Sequence, residues 1–157
     1  MKAAGFLLWM TAVFLFLSLL TREERRRVEE CEGLLLLLRH LRARVSAYSL
    51  PRDEIYRSFS HEALEKCGFL PLLRQRGLQT ALSSGTLASD GEMLRPLVAF
   101  SAGEGQRLKE EELSAVSLAI EEMETRLAEA KRRLPERLRL SRTLVLTGGM
   151  MVVIFLL

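Results

Sequence analysis

Cysteine, histidine and proline are scarce in this chain, and the scarcity excludes more than any motif suggests. Only two cysteines, Cys31 and Cys67, and two histidines, His40 and His61, occur in 157 residues. They form no C-x-x-C pair and no metal-ligand spacing, so neither a zinc site nor a disulfide framework is expected. Both cysteines read as reduced, buried, small apolar residues. His61 starts a helix and His40 sits on one, which favours surface or packing roles over catalysis. Gly103-Glu104-Gly105-Gln106 has two glycines but no P-loop lysine, so phosphate binding has little support. Basic and acidic residues nearly balance, 23 against 20, and no basic surface for nucleic acid is announced. No stretch alternates with period two over enough residues to make a strand. The expectation is an all-α chain that is not an enzyme and needs no cofactor or metal.

Charge is also missing from both ends. Ala3 to Thr21 has 19 residues without a charge, and at about 1.5 Å per residue it nearly spans a bilayer core of about 30 Å. Thr143 to Leu157 has 15; it reaches full width only if it starts near Leu138, with Arg139 and Arg142 snorkelling to the interface. A cleaved signal peptide is the alternative for the first segment, but Ser18-Leu19-Leu20-Thr21 leads straight into charge without an A-x-A-like site. The division is therefore a transmembrane helix over residues 1–21, a soluble helical domain over 22–137 and a second transmembrane helix over 138–157. Arg22, Arg25, Arg26 and Arg27 follow the first segment, and Arg139 and Arg142 precede the second. Basic flanks stay on the cytoplasmic side, which puts the central domain in the cytoplasm and both termini across the membrane.

Between the anchors the apolar pattern is helical. Val28, Cys31, Leu35, Leu38, Leu41, Val45 and Tyr48 form one stripe at three- and four-residue steps. Pro51 ends that run, and short helices fit about residues 52–59, 61–66, 70–76 and 90–102 between frequent breaks. Ser89-Asp90-Gly91-Glu92 has the spacing of a capping box. Leu113, Val116, Ile120, Met123, Leu127, Ala130 and Leu134 mark the last helix, with Pro135 expected to break or kink it. Glu110-Glu111-Glu112 and Glu121-Glu122-Glu124 read as its solvated face. The two long helices should pair antiparallel, since both return to one membrane.

Leu34 to Leu38 carry the one candidate site. At 100° per residue, five consecutive leucines cover a whole helix circumference. Leu36 falls opposite the stripe, beside Gly33, His40, Ala43 and Ala47. This second face is either internal to the bundle or a small-residue groove for a partner.

Taken together, the N-terminal span, the basic helix after it, the Tyr48-Ser49-Leu50-Pro51 turn with Ile55 beyond, the Leu118-Ala119-Ile120 to Glu124 stretch and the glycine-containing C-terminal span resemble the stage III sporulation protein AB family. The resemblance covers essentially the full chain, with Tyr48, Leu50 and Pro51 as its family-like turn. It implies a helical bundle of about six helices, like the cytoplasmic domain of the type II secretion platform protein. It further implies a place in a channel-like complex in the outer forespore membrane, where the domain faces the mother-cell cytoplasm. There it would meet stage III sporulation protein AA, the presumed ATPase, and other subunits; the sequence permits an oligomer without specifying one. A membrane-tethered coiled-coil scaffold of another process, such as cell division, is the competing reading, though it would not need the broken middle.

Overall fold

A computed structural model describes the backbone of residues 2–47, 51–104 and 106–156, and their side chains except those of 2–10, 14, 17, 20, 136–138, 140–142, 144–146 and 148–156. The described residues are all-α: α1 (Lys2–Ala47), α2 (Arg52–Ser58), α3 (Glu62–Lys66), α4 (Phe69–Ser83), α5 (Gly91–Ala102) and α6 (Lys109–Leu156). Two units divide them, one of residues 26–129 and one formed by residues 1–25 with 130–157.

In the unit of residues 26–129, α1 supplies the centre. Cys31, Leu34, Leu35, Leu37, Leu38 and Leu41 are all buried, a broader arc than a single stripe. Around it pack Ile55, Tyr56 and Phe59, Leu64 of α3, Phe69, Leu70, Leu73 and Leu78 of α4, and Leu94, Leu97 and Phe100 of α5. α6 adds Val116, Ala119, Ile120, Met123 and Leu127, the stripe its heptad spacing specifies. Each fully buried leucine contributes about 1.5–3 kcal/mol, which favours turning inward four of the five leucines from Leu34 to Leu38.

Three local expectations are corrected. α4 does not end near residue 76; it turns at Gly77 (φ 81°, ψ 174°) and continues to Ser83. Only glycine adopts that backbone region readily, so the break is a sharp redirection inside a longer element. The capping box does not form: Asp90 caps α5 without a side-chain bond. α1 takes both side chains instead, Ser89 Oγ lying 3.2 Å from Cys31 Sγ and the Asp90 carboxylate 3.3 Å from Arg27. Pro135 does not end α6, which runs on to Leu156. The proline removes one backbone donor from the helix, at an exposed position.

The other unit consists of the start of α1 and the end of α6. Three of its hydroxyls turn back on their own helices: Ser18 donates to the Leu15 carbonyl (3.0 Å), Thr143 to Arg139 (2.9 Å) and Thr147 to Thr143 (2.7 Å). Leu15, Phe16 and Leu19 are exposed. Among the described residues no helix is long and apolar enough to cross a membrane. Both expected spans fall largely on residues whose side chains lie outside the description.

Candidate functional site

The five leucines resolve asymmetrically: Leu34, Leu35, Leu37 and Leu38 are buried, and Leu36 is 45 % exposed. Its companions on the second face of α1 separate as well. Gly33 is buried against α3, where an added Cβ would lie 2.7 Å from His61 Nδ1 and 2.9 Å from Leu64 Cγ. The bare glycine is what lets the start of α3 approach α1. His40 Nε2 is 3.1 Å from Ser58 Oγ, and its ring packs on Phe59 at 5.5 Å between centroids. Partial desolvation, then the Arg44 charge, lower the His40 pKa. Ala43 and Ala47 stay exposed with Leu36. The face is therefore shared: Gly33 and His40 pack within the bundle, and Leu36, Ala43 and Ala47 face outward.

Beside that outward strip runs the seam between α1 and α6. Arg39 donates to Glu124 Oε1 at 2.7 Å, and Lys109 reaches the Ser46 carbonyl at 3.4 Å, which sets the two helices antiparallel. On the α6 side, Leu118 is 59 % exposed.

Two buried polar clusters were not anticipated. Glu112, expected on the solvated face, is 2 % exposed. Arg52 donates to its Oε1 at 2.9 Å, and Arg107 lies 4.0 Å from its Oε2. Tyr56 donates its hydroxyl to Glu104, which also lies 3.9 Å from Arg52. Burial above all raises the Glu104 pKa, and burial followed by the Glu104 charge raises that of Tyr56, so the phenol stays protonated. Arg107 stacks over Phe100 and donates to its carbonyl at 3.1 Å. These contacts pin the α5–α6 turn to α2 and α6, and leave Leu108 beside it 74 % exposed. The second cluster centres on Glu30, fully buried, with Arg26 and the Ala88 amide on its two oxygens. A signal existed for both carboxylates: Glu30 precedes Leu34 by four residues, as Glu112 precedes Val116, so each shares a core-facing position.

Among the described residues no three histidine, cysteine or acidic side chains gather as metal ligands could. Cys31 and Cys67 are free thiols, and burial raises the pKa of each. Of the arginines expected to flank a membrane, Arg22, Arg25, Arg26 and Arg139 are exposed, Arg27 is half-buried on Asp90, and the Arg142 side chain lies outside the description. Tyr48 and Leu50 also lie outside it; Pro51 caps α2, its carbonyl accepting the Glu54 and Ile55 amides.

Residues 81–157 match the family model described as stage III sporulation protein AB. No curated protein and no solved structure matches the chain.

Proposed function

Because this chain belongs to the stage III sporulation protein AB family, and so to the proteins of sporulation, we propose that it is a membrane-anchored, non-catalytic adaptor that docks a cytoplasmic ATPase of the stage III sporulation protein AA kind. In this reading both termini lie in the outer forespore membrane, and residues 26–129 face the mother-cell cytoplasm within a channel-like complex. The observation that supports the docking role is the α5–α6 turn, where Arg52 bonds Glu112, Arg107 bonds the Phe100 carbonyl, and the large apolar side chain of Leu108 stands in solvent. Covering such a side chain would contribute to the affinity of a partner. Anchoring is supported by the charge-free ends, the arginines flanking them, and hydroxyls already bonded to their own helices, as a hydrocarbon setting requires.

With Gly33 and His40 engaged inside the bundle, we assign the ATPase to the end of the unit where α1 finishes and α6 begins, which presents Ala47 and Leu108. Leu108→Glu in the full-length protein should leave the melting temperature unchanged, abolish co-purification with the ATPase from sporulating cells, and block spore formation. Normal co-purification of that variant would remove Leu108 from the docking surface. A deletion strain that sporulated normally would remove the adaptor role.

A further inference from the structure

Past the Lys109 contact at its end, the α1·α6 seam carries charge of one sign on each side. From Gly33 to Ala47, α1 has three arginines and no acidic residue; from Glu110 to Thr125, α6 has six glutamates and no basic residue. The antiparallel contacts set these two stretches alongside each other. Yet Arg39 with Glu124 is the only ion pair that crosses between them among the described residues. Arg42, one turn beyond Arg39, and Glu121, one turn before Glu124, are exposed, and neither pairs with an opposite charge among the described residues. Glu121 lies one turn from the exposed Leu118; on α1 the exposed Ala43 follows Arg42, and Leu36 lies one turn before Arg39. One molecule thus displays a basic-apolar strip and an acidic-apolar strip side by side on one face.

We propose that a second copy of this chain covers that face, with α1 of each copy laid along α6 of the other. A two-fold pair satisfies both strips at once: Arg42 meets the partner's Glu121 on one side, the reciprocal pair forms on the other, and Leu36 and Leu118 are covered between them. Such an interface is self-complementary and closes at two copies. Two neighbouring helical stretches of about 16 residues, roughly 24 Å long and about 10 Å apart, offer on the order of 500 Å² per copy. That area belongs to a weak, transient contact, of the kind confinement in a membrane would strengthen. The residues that carry this contact, Arg42, Glu121, Leu36 and Leu118, are not those assigned to the ATPase, so dimerisation and ATPase docking are tested by different variants.

The test uses the full-length protein in detergent, its mass followed by light scattering against concentration. The parent should pass from monomer to dimer as concentration rises, and more weakly at high salt. Arg42→Glu alone and Glu121→Arg alone should each weaken self-association about tenfold or more with unchanged helicity. Mixing the two variants under different tags should restore pairing, because every cross-copy contact then joins opposite charges. A parent that stays monomeric, charge reversals that leave its mass unchanged, or a mixture that fails to co-purify would each overturn the proposal. So would loss of ATPase binding by Arg42→Glu without any change in mass, which would make the ATPase the occupant of this face.

Discussion

Glu30 and Ala88 are joined across 58 residues of sequence: the fully buried carboxylate accepts the Ala88 amide at 2.7 Å while Arg26 donates to its other oxygen at 2.8 Å. The loop between α4 and α5 is thereby fastened to the central helix by a side chain, where no regular element supplies a backbone partner. Glu30→Leu should destabilise the protein by about 1–3 kcal/mol, since the Ala88 amide is left without an acceptor. Glu30→Gln, which keeps an acceptor oxygen, should lose less. Chemical denaturation of both variants measures the difference, and equal losses would show that charge, not the amide, is what Glu30 serves.

Gly33→Ala should also destabilise, although alanine is the better helix former by about 1 kcal/mol. The new methyl would lie 2.9 Å from Leu64 Cγ, and Leu64 is fully buried with no room to retreat. Overpacking of this kind costs about 1–3 kcal/mol. A higher melting temperature for the variant would mean that α3 yields freely.

Acidity should separate Glu104→Gln from the parent. Burial raises the Glu104 pKa, against the Tyr56 hydrogen bond and the Arg52 charge that lower it. The folded protein therefore holds this proton more tightly than the unfolded chain. From the unfolded value of about 4.3 up to the native one, raising the pH removes stability. Glutamine does not titrate, so the variant should gain on the parent as pH rises from about 4 and then keep a constant lead once Glu104 is ionised in both states. Melting temperatures across the range read this directly, and a lead independent of pH would contradict it.

Topology is tested by thiol labelling in a background lacking Cys31 and Cys67. Leu157→Cys should react with an impermeant reagent from outside the cell and Ser83→Cys should not. Ser83 is the appropriate reporter because it is exposed, whereas Ser89 is packed on Cys31 and would be protected on either side. Labelling in the reverse pattern would invert the orientation.

The elements set by apolar spacing were legible: the α1 and α6 stripes, the helical middle and the absence of a strand among the described residues all follow from steps of three and four. What escaped notice depends on partners distant in sequence. Gly77 reads locally as a terminator and acts as a bend because both flanking segments find core to cover. Ser89 and Asp90 have capping chemistry, yet α1 offers them bonds that a local rule does not weigh. Glu112 lies in a run of three glutamates that looks uniformly solvated; its position in the Val116 register turns it inward, and Arg52 makes that tolerable. The helical wheel sets Leu36 opposite the stripe, and its side chain is exposed, but a wheel cannot tell that α3 and α2 come up against Gly33 and His40.

The pairing of Arg39 with Glu124 joins positions 85 residues apart, and this dictates the order of events during synthesis. The leucines of α1 are made early, while the helix that closes over them is made late. At about 5–20 residues per second, roughly 4–17 s pass between the two. Until α6 is made, the part of the core that it covers has no cover from the chain itself, so ribosome stalling or truncation ahead of α6 leaves a sticky fragment. The last helix therefore decides, copy by copy, whether the first becomes a core or a liability.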